Sequence, residues 1–473
     1  MPVSSAYRPE PRFFDLGDEY GDAVRAADFP QAILRFRNDR AAAQVGLETL
    51  TDQEWVAHFG RFEALPGQPG PVAMRYHGHQ FRTYNPDLGD GRGFLFAQLR
   101  DASGRLLDLG TKGSGQTPWS RSGDGRLTLK GGVREVLAAE MLEALGLPTS
   151  RAFSLIETGE ALERGDEPSP TRSAVLVRLS HSHVRFGTFQ RAAYFDRVDM
   201  IGDLIRHVLE LYYPELPRTG DPAIDGPVML EAVARASARL VARWTAAGFV
   251  HGVLNTDNLN VTGESFDYGP WRFLPAYEPG FTAAYFDRTG LYAYARQPEA
   301  VFWNLQQLAA CLRLVAESEP LIDALNTYGP AYGAELAGAF RRRLGVADAG
   351  EAAGTALVEA TLALLKAHKA ALRFEPVFFD WFGGEASSAR ALEGPRAAAY
   401  RSPEGEAFQA ALVAQAPDRP ERLSHAYFAG SEPQEMLIDE VEAIWAAVDR
   451  DDDWTPFHDK IVATRAAGAA YGL

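Results

Sequence analysis

The chain has 473 residues, 46% hydrophobic and 23% charged, and its 63 acidic and 47 basic residues leave a net charge of −16. This acidic balance excludes a general nucleic-acid binder, which would carry a basic face, while leaving room for a local basic pocket around a nucleotide. No apolar run reaches the roughly 18 to 20 residues of a membrane span. The N-terminal stretch MPVSSAYRPEPRFF lacks the basic-then-apolar pattern of a signal sequence. The single cysteine, Cys311, can form no internal disulfide and joins no zinc cluster, so a cytoplasmic protein of roughly two to four domains is expected.

In chain order, residues 1–60 mix short helical patches with loops. From Pro71 the chain turns glycine-rich. NPDLGDGRGFLFAQL sets Gly89, Gly91 and Gly93 ahead of an apolar strand, Phe94 to Leu99, and Ser103-Gly104 turns it into a partner strand, Leu106 to Leu109. Such glycines let a backbone approach a phosphate or base closely, and they also serve plain turns. Lys112 ends the second strand. Glu135 follows on an amphipathic helix whose apolar positions are Val133, Val136, Leu137, Met141, Leu142 and Leu145. Protein kinases hold nucleotide phosphates with a strand lysine paired to a helix glutamate in this order. Between the two lies a second glycine loop, Gly123-Asp124-Gly125-Arg126.

Arg151 to Thr158 and Ala174 to Leu179 read as further strands, joined by the Pro- and charge-rich ERGDEPSPTR. Arg178 and Arg185 carry planar forks suited to phosphate. They flank His181 and His183, which lack the further ligands of a metal pair and read as polar structural residues. Helices are expected at residues 194–213, Val228 to Ala247, Glu299 to Val315, Thr355 to Leu372 and Glu435 to Val448, with Gly383 to Glu406 as a surface loop. Cys311 falls on a helix as a small core residue. Asp380-Trp381-Phe382-Gly383 has no asparagine ahead of it at close spacing and reads as an aromatic-packed turn.

The most informative stretch is His251 to Gly269, HGVLNTDNLNVTGESFDYG. Leu259-Asn260-Val261 reads as one arm of a short hairpin turning at Thr262-Gly263-Glu264 and returning to Asp267. That would set Asn258 beside Asp267, an amide oxygen and a carboxylate of the kind Mg²⁺ takes alongside phosphates and water. The order parallels the kinase pattern H-R-D-x-x-x-x-N followed by D-F-G. His251 falls on the His, Asn258 on the Asn, and Asp267-Tyr268-Gly269 on D-F-G. Val253 stands where the kinase keeps its proton acceptor, and Asp257 is the nearest carboxylate able to replace it. The simpler reading is a polar hairpin with a buried aspartate capping its turn.

Taken together, YHGHQF…LGDGRG, KGSGQTPWSRSGDGR…VREVLAAEML, VLVRLSHSHVRFGTFQ and HGVLNTDN…FDYGP resemble the selenoprotein O family, pseudokinases that adenylylate proteins. The resemblance is close from Arg75 to Asn304. It implies an α+β, protein-kinase-like, two-lobed fold, with an N-terminal extension (1–70), a β-rich N-lobe (71–190), a helical C-lobe (191–380) and a C-terminal extension (381–473). It implies ATP bound in the inverted sense, so that AMP passes to a Ser, Thr or Tyr hydroxyl of a protein and pyrophosphate leaves. By motif, Gly89, Gly91, Arg92, Lys112, Asp124, Gly125, Arg178, Arg185 and Asp267 would hold the nucleotide, and Glu135 would partner Lys112. Asp257 would be the base, and Asn258 and Asp267 would hold Mg²⁺ or Mn²⁺. The implied partners are ATP and protein substrates, with no nucleic acid and no membrane. The alternatives are a nucleotide-binding module without catalysis and a phosphotransferase using Asp257. The sequence departs from the family in three places. It ends AAYGL without the Cys- or selenocysteine-containing tail of many members, which puts redox control through a tail in doubt. Arg82 stands where a glycine, and Trp119 where a tyrosine, would be usual.

Overall fold

The computed structural model describes residues 3–165 and 167–473, so Met1 and Pro2 of the N-terminal stretch and Asp166 of the charge-rich loop lie outside the described residues. The protein is α+β. Its strands in chain order are β1 (Gly21–Ala23), β2 (Ile33–Arg37), β3 (Val72–Met74), β4 (Gly78–Gln80), β5 (Thr83–Asn85), β6 (Leu95–Arg100), β7 (Leu106–Lys112), β8 (Leu127–Thr128), β9 (Arg151–Leu162) and β10 (Thr171–Ser180), followed by β11 (Phe249–Val250) and β12 (Arg272–Phe273). Among the described residues the main sheet is antiparallel, in the order β1-β3-β6-β7-β10-β9-β2, with β8 also pairing β10. The N-terminal segment is thus built into the sheet and supplies both edge strands.

Alternation along the strands divides the side chains between two faces. On one face Trp55, Phe59, Phe94, Phe96, Phe153 and Val177 form an aromatic-rich core under helices α1 (Asp39–Gln44) and α2 (Asp52–Phe59). The other face receives α3 (Leu129–Ala144), whose Val133, Val136 and Leu137 pack with Leu155, Leu176 and Leu127. Gly132 permits this approach, since a Cβ there would lie 2.4 Å from Leu155 Cδ1. The outer side of α3 is clasped by the C-terminal helix Thr455–Tyr471, through Gly468 against Ala144 and through Arg465 on buried Glu140 at 2.6 and 2.7 Å.

The rest is helical: α4 (Phe186–Tyr194), α5 (Val198–Tyr212), α6 (Pro222–Ala246), α7 (Gln297–Leu312), α8 (Ser318–Asn326), α9 (Tyr328–Leu344) and α10 (Glu351–Ala367), then shorter segments and a helix at Ile438–Asp451. The helix expected over residues 194–213 is α5, starting at Val198 rather than at residue 194, because Tyr194 ends α4. Arg197 N–H bonds to Ala192 C=O and Asp196 N–H to Ala193 C=O, with Asp196 at φ +51°, a Schellman turn with aspartate in the usual glycine place. The expected loop over Gly383 to Glu406 is also corrected. It holds the short helices Ser388–Glu393 and Ala397–Tyr400 and the start of Pro403–Val413, around buried Tyr400 and Phe408. Small residues hid the helical period there. No helix among the described residues is long and apolar enough to cross a membrane.

Candidate active site

Helix α6 runs into β11, which pairs β12, and the segment between those two strands crosses the end of the main sheet. The expected hairpin between Asn258 and Asp267 does not form. Thr256–Asn258 is a turn of 3₁₀ helix, Asn260 bridges Arg185, and Ser265 bridges Thr149. Each arm pairs with a different neighbour, which satisfies its backbone without cross-pairing. Asn260 shapes the turn from its side chain: Oδ1 accepts from Thr262 N–H, Thr262 Oγ1 and Glu264 N–H at 3.0 to 3.2 Å. Asn258 and Asp267 still reach the same place, since both line a cavity of about 760 Å³.

The metal candidates are oriented by their partners. Asn258 Nδ2 donates to the carbonyl of Val253 at 3.0 Å, leaving Oδ1 as the free acceptor. Val253 thus serves through its backbone where its side chain could not serve as a base. Asp267 adopts φ +63°. Its Oδ1 accepts from Lys112 Nζ at 2.7 Å and from Arg178 at 3.3 Å, and no partner engages Oδ2 among the described residues. Burial alone would raise the Asp267 pKa, but Lys112, Arg178 and Arg92 together hold it well below the usual carboxylate value. Lys112 is also paired with Glu135 of α3, and Arg178 lies 3.7 Å from the other Glu135 oxygen. The sheet register explains the grouping. Leu176 pairs Lys112 and Arg178 pairs Gly110, so Lys112 and Arg178 are diagonal neighbours on the face toward α3.

Asp257 sits in the 3₁₀ turn beside Asn258. Among the described residues its Oδ1 is buried without a hydrogen-bond partner, and burial pushes its carboxyl pKa up to about 6. The β4–β5 hairpin lies over this turn. Gly78 leaves no room for a side chain larger than hydrogen without crowding Asp257, because a Cβ there would lie 3.2 Å from Asp257 Oδ1 and from Thr256 Oγ1. His79 N–H donates to Thr256 Oγ1 at 2.7 Å and Phe81 N–H to Asn255 Oδ1 at 3.0 Å. Phe81 and Arg82 at the hairpin tip have φ +50° and +64°, left-handed values that explain why a glycine suits position 82. Arg82 instead lies over the Trp303 ring and pairs Glu299 at 3.3 Å.

Of the residues picked out from sequence, Gly89, Gly91, Arg92, Asp124, Gly125, Asp257, Asn258 and Asp267 line the cavity. Lys112, Glu135 and Arg178 stand behind it through Asp267. Arg185 is also set back, between the Tyr76 ring at 4.4 Å and Asp90 at 3.2 Å. The first glycine loop is close-packed. A Cβ on Gly89 would lie 2.4 Å from the Trp119 ring and one on Gly91 2.8 Å from Trp119 O, so the glycines seat Trp119. Trp119 Nε1 donates to Asp22 at 2.8 Å and the residue itself lines the cavity. Gly125, at φ +72°, faces the Gly115 backbone, where a Cβ would come within 2.2 Å. Asp124 is held by both terminal guanidinium nitrogens of Arg164 at 2.8 and 3.2 Å. Arg121 and Arg164 line the cavity and carried no sequence signal beyond charge in a loop. His183 is structural: its backbone N–H and ring meet Asp108, in a buried set that includes Gln98.

Free oxygens on Asn258 and Asp267, with the unpartnered Asp257 Oδ1 one residue before Asn258, form a small all-oxygen donor set that fits a divalent cation carrying phosphate and water. Among the described residues no cluster of three or more His, Cys, Asp or Glu forms a metal cage without a ligand's help. A family model for protein adenylyltransferase SelO matches residues 4–465. The chain is similar to a protein nucleotidyltransferase YdiU of Gloeobacter violaceus, 46% identical over 459 residues covering 96% of this chain and 94% of that protein. One of Trichodesmium erythraeum is 44% identical over 464 residues, covering 95% and 96%. One of Synechococcus elongatus is 54% identical over 338 residues, covering 71% and 68%. With a match running nearly end to end, the chain belongs to the protein adenylyltransferase SelO family.

Proposed function

We propose that this cavity transfers AMP from ATP to a Ser, Thr or Tyr hydroxyl of a protein, with the sheet and the helical part acting as the two lobes of a kinase-like fold. The division into 1–70, 71–190, 191–380 and 381–473 is part of that reading, as is a cytoplasmic setting for a chain with one buried thiol. One observation carries the reading: the buried, unpartnered Asp257 Oδ1 stands beside Asn258 on the wall that Asp267 shares, while the kinase base position is Val253.

ATP would lie along Gly89, Gly91 and Arg92, with Asp124 and Gly125 on the opposite loop. Asn258 and Asp267 would hold Mg²⁺ or Mn²⁺, which when bound neutralises phosphate charge at the reacting phosphorus. Lys112 and Arg178, already beside Asp267, would turn toward phosphate oxygens, with Glu135 fixing the lysine. Arg185 would contribute positive potential from behind the cavity. Asp257 accepts the hydroxyl proton of the acceptor, whose oxygen bonds to the α-phosphorus as the bond to the β-phosphate oxygen breaks. Pyrophosphate leaves, with its charge balanced by the arginines. A carboxyl raised to about 6 is well matched to accepting a proton near neutrality.

Incubating the protein with ATP labelled at either the α- or the γ-phosphate, and weighing the acceptor intact, tests this. Addition of AMP with release of pyrophosphate is expected. Addition of phosphate alone would return the chain to the phosphotransferases, and binding of ATP without any transfer would make it a nucleotide-binding module.

A further inference from the structure

Three aromatic rings next to the cavity are left in solvent. Phe81, Tyr285 and Phe286 are 36%, 80% and 46% exposed. They are contiguous: Phe81 meets Phe286 edge-on at 5.9 Å between ring centres, and Phe286 meets Tyr285 at 5.1 Å. Grouped exposed rings mark interaction surfaces more often than scattered ones.

The patch is fixed to the site. Asn255, a wall residue of the cavity two positions before Asp257, accepts from Phe81 N–H at 3.0 Å and from Tyr292 OH at 2.8 Å through the same Oδ1. The Phe81 ring also packs on Tyr292 at 5.0 Å. The segment bearing Tyr285 and Phe286 is tied down by buried Asp287, which accepts from Leu291 N–H at 2.9 Å and Tyr292 N–H at 2.8 Å. The rings are therefore presented by an ordered loop.

We propose that this patch docks the acceptor protein: an extended segment that lays an aliphatic or aromatic side chain on Phe81, Tyr285 and Phe286 and delivers its hydroxyl to Asp257 a few residues away. The proposal rests on the AMP-transfer reading. The occupant follows from continuity with the cavity, because Asn255, two residues from Asp257 on the cavity wall, is also the anchor of the Phe81 backbone and Tyr292. An anionic membrane is disfavoured by the net charge of −16.

The test uses synthetic peptides of equal length, each with one threonine and either leucine or glutamate flanking it at matched positions, with ATP labelled at the α-phosphate. The wild-type chain is compared with the double variant Tyr285→Ser, Phe286→Ser, which removes side chains that line no part of the cavity. The wild-type KM for leucine peptides is expected to lie about tenfold below that for glutamate peptides. The double variant should raise the leucine-peptide KM to the glutamate level while leaving the KM for ATP unchanged. A variant that keeps the preference, or a wild type that modifies both sets equally, overturns the docking proposal. So does a variant whose KM for ATP rises in parallel, or one that only loses self-association. Failure of the wild type to add AMP to any acceptor would sink the activity itself, and the docking proposal with it.

Discussion

Asp267 is followed by Tyr268-Gly269 and Asp380 by Trp381-Phe382-Gly383, and the two aspartates are treated in opposite ways. Asp380 ends the helix Phe374–Asp380, and both its oxygens are taken. Arg396 donates to Oδ1 at 2.8 Å and to Oδ2 at 2.7 Å, and Tyr400 OH adds a bond to Oδ2 at 2.5 Å. Trp381 and Phe382 beside it are buried and Gly383 is left-handed at φ +86°, the aromatic-packed turn that the sequence suggests. Asp267 takes its hydrogen bonds from Lys112 and Arg178 on Oδ1 alone and turns toward an open cavity. A saturated buried carboxylate holds structure, whereas one with a vacant oxygen beside concentrated positive charge can exchange those partners for a phosphate-bound cation. The difference lies in the number of oxygens used, since both aspartates have cationic partners.

That contrast can be broken most sharply at Asp267 itself. Asp267→Asn should lower AMP transfer by about 10³-fold, the scale of removing one preorganised charge from a reacting centre, while circular dichroism and melting temperature stay close to wild type because Glu135 still pairs Lys112. Wild-type turnover in this variant would remove Asp267 from the metal set. Asp380→Asn should do the reverse. It leaves half-buried Arg396 with Glu432, at 2.9 Å, as its remaining carboxylate and strips the charge that accepts from Tyr400 OH, so it should cost about 2 kcal/mol of stability in urea unfolding, with turnover per folded molecule unchanged. An Asp380→Asn protein of wild-type stability would mean that Glu432 alone suffices to hold Arg396.

Asp257→Asn sharpens the comparison within the site. Its Oδ1 has no partner to lose, so the fold and ATP binding should persist while transfer falls about 10²-fold. Equal loss of ATP binding, read by calorimetry, would make Asp257 a nucleotide ligand and leave the base unassigned. The smallest effect is expected at Cys311. Its thiol is buried, donates to Gln307 C=O at 3.2 Å, and is pushed by burial up to about 12, so it stays protonated. Cys311→Ser keeps a donor and should change stability by about 1 kcal/mol or less, with activity and its response to thiol reagents unaltered.

The sequence by itself determined which polar residues fall in which local patterns, and their order. Lys112, Glu135, Asn258 and Asp267 were legible because each sits in a local pattern: a strand end, an amphipathic helix face, a turn before an apolar step. Val253 at the base position was equally plain. The strands β6, β7, β9 and β10 followed from apolar runs between turns. Only the tertiary structure decided the rest. Arg185 carries the planar fork of a phosphate contact, but its seat against Asp90 and the Tyr76 ring depends on residues remote in sequence. Gly89 and Gly91 read as a close-approach loop, and that they also make room for Trp119 is a contact no local pattern carries. The hairpin expected between Asn258 and Asp267 was replaced by bridges to Arg185 and Thr149, and the hairpin that matters, β4–β5, lies over Asp257 from far upstream. The clasp of the C-terminal helix on α3 has no local signature either. Periodicity and turn chemistry act over a few residues, whereas a cavity wall is a set of long-range pairings settled when the backbone groups and side chains of distant segments find each other.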